Sequence, residues 1–165
     1  MFDVTADLLL EHEEELSKID AVIGDGDHGL TIAKIARLMK DKATKEYDSA
    51  EAYFDDLGWD AINVQGGSAG PLFGTWLSGM KNAPEGAGVA EVLENALEEL
   101  RTISQAKVGE KTMMDAIIPA TEAANAAADD ASALEAAEKA AKEGAEHTAD
   151  CVAKYGRAKN YGEQS

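Results

Sequence analysis

Apolar residues return every three or four positions along most of the chain, and no convincing stretch alternates with a period of two. Ile32, Ile35, Ala36 and Met39 keep this spacing, as do Val89, Val92, Leu93, Leu97 and Leu100. Aromatic residues are only 5% of the total while alanine is abundant. Alanine costs least to hold in a helix, whereas sheets favour β-branched and aromatic side chains. The expected fold class is all-α.

Seven helices can be read from the pattern. The first, of about fifteen residues, holds Leu8, Leu9, Leu16 and Ile19 and fails near Gly24. The second carries the Ile32–Met39 repeat and ends before Tyr47, and Asp48 to Asn63 reads as a third that Gly58 interrupts. A fourth runs from Gly70 to Lys81, and Pro84 with the glutamates after it opens a fifth. The sixth begins near Thr112 and contains Pro119, where a kink is expected because proline lacks the N–H and crowds the preceding turn. Ser132 followed by Glu135 reads as the capping box of a seventh, whose stripe is Leu134, Ala141, Ala145, Thr148, Val152 and Tyr155.

At 165 residues and 17.4 kDa the chain is expected to form a single domain over 1–165. A formal charge of −17 makes nucleic acid and anionic membranes poor partners. No run of 18 apolar residues occurs, and Asp3 follows Phe2 at once, so neither a membrane span nor a signal peptide is expected. One cysteine and 3 histidines exclude a disulfide framework and argue against a Cys/His zinc cluster. Cys151 reads as a small helix-packing residue. The expected setting is cytoplasmic.

Glycines gather where the helices break, and there the chemistry should be sought. In Asp20-Ala21-Val22-Ile23-Gly24-Asp25-Gly26-Asp27-His28-Gly29, three carboxylates fall within eight residues. They repel one another unless a cation joins them, and an all-oxygen set suits Mg²⁺ before Zn²⁺. A calcium loop is rejected, because the twelfth position from Asp20 is Thr31 rather than glutamate. The plainer alternative makes Asp27 a helix cap and Asp25 a turn residue. Val64-Gln65-Gly66-Gly67-Ser68-Ala69-Gly70-Pro71 leads straight into a helix, so its N–H groups, hydroxyl and helix dipole can cradle phosphate. By itself it is equally a tight interhelical turn. It is neither a Walker motif nor a dinucleotide fingerprint. In Val108-Gly109-Glu110-Lys111-Thr112-Met113-Met114-Asp115, one methionine reads as core and the other as lining an apolar slot for a base, and Lys111 reads equally as solvated or as a phosphate ligand. Arg157, in a glycine-rich ending, is an anion clamp or a helix C-terminal arginine.

Read together, IDAVIGDGDHG, GGSAGPLFGT, VGEKTMMDAIIPA and YGRAKNYGEQS resemble, in order and approximate spacing, the L subunit of dihydroxyacetone kinase, over nearly the whole chain. The resemblance implies an antiparallel, barrel-like bundle of seven to eight helices whose loops at one end hold ADP or ATP through two Mg²⁺ ions. Residue by residue it makes Asp20, Asp25 and Asp27 the metal ligands. It sets His28, Gly29 and Thr31 at the phosphates, Gly67, Ser68 and Ala69 along the phosphate chain, Met113 at the base and Arg157 by the nucleotide. The family usually continues into an Asp-Pro-Gly stretch and a final helix, whereas this sequence stops at Gly162-Glu163-Gln164-Ser165. Leu30 is also apolar where polar residues are common in relatives.

Such subunits work with a K-type chain that holds dihydroxyacetone. In one arrangement ATP is the consumed donor. In the other the nucleotide stays bound and a phosphohistidine protein of the phosphotransferase system rephosphorylates ADP, and the stand-alone size resembles this second arrangement. The expected role is a phosphotransferase active only with its K-type partner, with no catalytic residue beyond the metal and phosphate ligands. Homodimerisation is left open. The rival readings are an ATP-dependent two-chain kinase for a related ketose and a non-catalytic nucleotide-sensing module.

Overall fold

The computed structural model describes residues 2–165, and the chain divides into two compact units, one reaching to Asn82 and the other spanning Ala83–Ser165. Every regular element among the described residues is helical.

The first unit holds α1 (Phe2–Glu11), α2 (Glu13–Asp20), α3 (His28–Ala43), α4 (Ala50–Ile62) and α5 (Ala69–Gly79), followed by a 3₁₀ turn at Met80–Asn82. The single N-terminal helix expected from the sequence is two: the backbone turns at His12 (φ −91°, ψ 6°). Glu13, Glu14 and Glu15 then occupy the first turn of α2, where acidic side chains favour the positive end of a helix dipole. Central to this unit is α3, which packs on α1, α2, α4 and α5. Ile32, Ala33, Ile35, Ala36 and Met39 are all buried, so the three-and-four spacing becomes a helix wrapped on most sides. Gly58 does not interrupt α4. A Cβ there would lie 2.6 Å from the Cα of Ser78, so the glycine lets α4 and α5 approach backbone to backbone.

Lys42 is buried at 2% exposure, and its Nζ reaches Asp56 at 2.6 Å and Asp60 at 2.7 Å. The Tyr47 hydroxyl donates to the same Asp56 carboxylate at 2.7 Å. Burial alone would lower the lysine's pKa, but the hydrogen bonds it donates to Asp56 and Asp60 outweigh it and raise the net value. The Lys42 bond, then the Tyr47 bond, hold the Asp56 carboxyl below its ordinary range. This cluster pins α3 to α4.

The second unit holds α6 (Val89–Arg101), α7 (Met114–Asn125) and α8 (Asp130–His147), with 3₁₀ segments at Thr148–Asp150 and Ala158–Gln164. Ala124, Ala133 and Ala137 form a core joined by Val89, Ala90, Leu93, Ala120 and Ala127. Pro119 lies inside α7. Four expectations change here. Pro84 opens a turn rather than α6, its carbonyl accepting from the Ala87 N–H. The capping box is Asp129 with Ser132, the Asp129 carboxylate accepting from the Ser132 N–H at 2.9 Å and the Ser132 hydroxyl accepting from the Asp129 N–H at 3.2 Å. Ser132 is therefore the third residue of α8, not its cap. The helix ends at His147, so Cys151, Val152 and Tyr155 lie beyond it; Cys151 is half-buried, its thiol near the His147 carbonyl. The buried stripe is Ala133 and Ala137, and Leu134 is 44% exposed.

Candidate functional site

In the first unit, the loop between α2 and α3 follows a helix that ends on Asp20. Ligand oxygens of Asp20, Asp25 and Asp27 lie within 4.8 Å of one another. The Asp20 carboxylate is fixed by the loop it begins: its Oδ2 accepts from the N–H of Gly26 at 2.8 Å and of Asp27 at 3.1 Å. Gly24 makes room for that carboxylate, since a Cβ there would fall 2.3 Å from Asp20 Oδ1. Asp27 stands at the N-cap of α3 but makes no side-chain capping bond, which removes the plainer account of why an acid stands there. Three carboxylates with no nitrogen or sulfur in the set, one already oriented by backbone dipoles, fit a hard divalent cation such as Mg²⁺.

His28 and Gly29 open α3 directly after this cluster. His28 is half-buried; Gly29 is buried against α2, and a Cβ on it would lie 1.9 Å from the Glu13 carbonyl oxygen. One turn into α3, Thr31 is 1% exposed and its hydroxyl donates to the Gly66 carbonyl at 3.5 Å. The approach is close enough that a Cβ on Gly66, whose φ is +146°, would overlap the Thr31 hydroxyl. Lys34 adds a bond from its Nζ to the Gln65 carbonyl at 3.2 Å. Within one unit, α3 thus carries the carboxylate loop at its start and holds the Gly66–Gly67 loop on its side.

Beyond that loop, Gly67 takes φ +60°, and Ser68 is the exposed N-cap of α5 with its hydroxyl in no capping bond. Ala69 is the first residue of α5. Backbone N–H groups at such a helix start have no intrahelical partner and can meet an anion.

Met113 and Arg157 lie in the second unit. Met114 is the core methionine at 1% exposure, and Met113, at the N-cap of α7, is half-buried. Arg157 is exposed and precedes the last 3₁₀ segment, well past the end of α8, so it is not an α-helix C-terminal arginine. Asp115 has no role among the expectations from the sequence. It is 1% exposed, and its two carboxylate oxygens accept from the N–H groups of Gly109 at 2.6 Å and Thr112 at 2.8 Å. The signal for it was an acid three residues after Thr112, at a helix start that follows a glycine-containing loop.

None of the described helices is long and apolar enough to cross a membrane. Residues 22–165 match the DAK2 domain family. The chain is 36% identical over 177 residues to D-erythrulose kinase of Mycolicibacterium smegmatis, covering 99% of this chain and 30% of that protein. It is 32% identical over 161 residues to the ADP-binding subunit DhaL of PEP-dependent dihydroxyacetone kinase 1 of Listeria innocua, covering 94% of this chain and 78% of the subunit. A crystal structure of the dihydroxyacetone kinase from C. freundii in complex with AMP-PNP and Mg²⁺ superposes with a TM-score of 0.77 at 31% identity, over 90% of this chain and 28% of that one. The chain therefore spans under a third of the erythrulose kinase and most of the Listeria subunit. With a family match over most of its length and a DhaL relative covered to 78%, this protein belongs to the DAK2-domain family and is DhaL-like.

Proposed function

We propose that this chain is the nucleotide-binding subunit of a dihydroxyacetone kinase. The phosphoryl group would pass from Mg-bound ATP to dihydroxyacetone held on a K-type subunit, and a phosphohistidine protein of the phosphotransferase system would restore ATP on the bound ADP. The observation that carries this reading is the trio of Asp20, Asp25 and Asp27 oxygens within 4.8 Å of one another, in a loop that orients Asp20 through two N–H groups. A cytoplasmic setting, two Mg²⁺ ions and a single domain over 1–165 belong to the same proposal.

Asp20, Asp25 and Asp27 would hold the Mg²⁺, which when bound would neutralise phosphate oxygens as a Lewis acid. The chain's residues supply placement. Backbone N–H groups from Gly67 to Ala69 and the Ser68 hydroxyl would bind the phosphate chain, with His28, Gly29 and Thr31 beside it. By resemblance, Met113 is assigned to the base and Arg157 to the nucleotide. Phosphoryl transfer asks for little beyond alignment and charge stabilisation, so a chain without a nucleophile in its motifs can carry the donor half of the reaction.

A second reading is favoured by the erythrulose kinase relative: an ATP-dependent kinase for a related ketose, with the acceptor site outside this chain. One assay separates the readings. The purified chain with ATP, Mg²⁺ and dihydroxyacetone or erythrulose is expected to give no product, and product is expected once a K-type subunit is added. Comparing ATP with phosphoenolpyruvate plus the phosphotransferase proteins then identifies the donor. Robust turnover by the single chain overturns the proposal. So does silence with every K-type partner, which would leave a nucleotide-sensing module.

A further inference from the structure

Asp115 is a carboxylate at 1% exposure, second in α7. A buried charge of this kind persists only with strong compensation. The compensation is local and two-sided: Oδ1 accepts from Gly109 N–H at 2.6 Å and Oδ2 from Thr112 N–H at 2.8 Å. Between those two amides lies Lys111, the described non-glycine residue with positive φ, at 58°. A lysine in that region is strained, and such strain survives where the surroundings over-determine the backbone. Asp115 grips the chain on both sides of it. Glu110 adds further ties, its carboxylate accepting from Lys107 N–H at 2.8 Å and its carbonyl from Lys154 N–H at 3.2 Å. From behind, α8 leaves no slack: a Cβ on Gly144 would fall 2.0 Å from the Asp115 carbonyl oxygen.

Met113 sits between two anchors, Thr112 held by Asp115 and Met114 sunk in the core. We propose that Asp115 is a positioning residue for the base end of the nucleotide: it fixes the loop from Gly109 to Met113 before ligand arrives, without touching the ligand. The proposal rests on the nucleotide reading, and specifically on Met113 as the residue at the base. A flexible thioether can grip a flat ring tightly only if its backbone is already in place, because ordering a loop on binding subtracts from affinity.

The consequence is a split between the two ends of the ligand. Asp115→Asn keeps the shape but turns an NH₂ group toward one of the two backbone donors, so one end of the grip is lost. With Mg²⁺ present, calorimetry is expected to show ADP binding about tenfold weaker in this variant, with pyrophosphate binding unchanged within about twofold. Loss of both ligands together, or of neither, overturns the positioning role. If the wild-type chain binds Mg²⁺–pyrophosphate but gains nothing from the adenosine of ADP, the base reading has failed and the proposal falls with it. A ligand-free measurement on the wild-type chain keeps the inference exposed should Asp115→Asn not fold. The Gly109 and Thr112 amides are expected to be protected from hydrogen exchange without ADP and to change little on its addition. Protection that appears only with ADP overturns the claim that the loop is set in advance.

Discussion

The first unit gathers carboxylates twice and resolves the repulsion in two ways. Asp56 and Asp60 share the buried ammonium of Lys42 at 2.6 and 2.7 Å, and Tyr47 donates to Asp56 as well. Asp20, Asp25 and Asp27 also converge, and there the Asp20 carboxylate leans on the backbone N–H groups of Gly26 and Asp27. Backbone dipoles orient a carboxylate but carry no whole charge to cancel it. The lysine cluster is complete within the chain and serves the packing of α3 on α4. The aspartate loop has the composition of a site finished by a cation, and it sits at the start of the same helix. Both acidic clusters border α3, and in the one formed by Asp56 and Asp60 of α4 a lysine of α3 itself supplies the cation.

Removing the internal cation gives the largest expected effect. Lys42→Ala leaves two carboxylates facing each other and empties the space of a buried stem. The carboxylates are 44% and 45% exposed and can rehydrate, so the cost should sit at the low end for buried pairs, about 3 kcal/mol. Thermal unfolding should shift down by roughly 10 °C, while Mg²⁺–ADP binding by the folded fraction is retained. A variant as stable as wild type would show that the lysine cluster does not pin the helices.

Asp27→Asn is the opposite experiment. It should weaken Mg²⁺-dependent ADP binding roughly a hundredfold, about 2.7 kcal/mol, and leave unfolding unchanged or slightly improved, because one like charge is gone. Chelation of Mg²⁺ should bring wild type down to the variant. Equal ADP affinity with and without Mg²⁺ in the wild-type chain would end the cation reading of the loop.

Part of this contrast is legible in the sequence and part is not. The aspartate loop is readable because its members are neighbours in the chain, separated by glycines that no helix interior would spend. Lys42 is not readable: it follows Met39 and Lys40 as an ordinary helix lysine, and only tertiary packing turns it inward against residues of α4. The α3 boundary follows from branched and long side chains whose periodicity is strong. In α8 the pattern is written mostly in alanine, which marks no face clearly, so the buried stripe fell on Ala133 and Ala137 rather than beside Leu134, and the helix ended earlier than its apolar residues suggested. Asp115 is half legible: an acid three residues after Thr112 marks a helix start, but its second partner, the Gly109 amide, is set by the shape of the loop.

A pH titration sharpens the lysine side of the comparison. Burial first, then the bond to Asp56, push the Tyr47 phenol up to about 12 from an ordinary 10.0. A raised value contributes stability that is complete below pH 10 and lost as pH climbs toward 12; the raised Lys42 acts in the same direction above its ordinary 10.5. Asp56 works the other way: its lowered carboxyl contributes above the ordinary 3.8 and loses that contribution as pH falls through its folded value. Urea midpoints should therefore hold between these limits and fall on either side. Tyr47→Phe should cost about 1 kcal/mol at neutral pH and flatten the alkaline fall. An alkaline limb identical to wild type would remove Tyr47 from the cluster's account.

The smallest effect is expected at Ser68, and its size tests how the second loop meets phosphate. The hydroxyl is exposed at the start of α5 and makes no capping bond, so deleting it strands no buried partner and should leave stability within about 0.5 kcal/mol of wild type. The donors that remain after Ser68→Ala are backbone N–H groups, and the loop that presents them is held from elsewhere, by Thr31 against Gly66 and Lys34 against Gln65. If phosphate is bound chiefly by those amides, Ser68→Ala should weaken Mg²⁺–ADP only about threefold, and pyrophosphate by the same factor because the lost contact is at that end of the ligand. A loss as large as that of Asp27→Asn would move the phosphate contact from backbone to side chain. No loss at all, with Thr31→Val still binding normally, would mean that the Gly66–Gly67 loop is a turn between helices and that the carboxylate loop works without it.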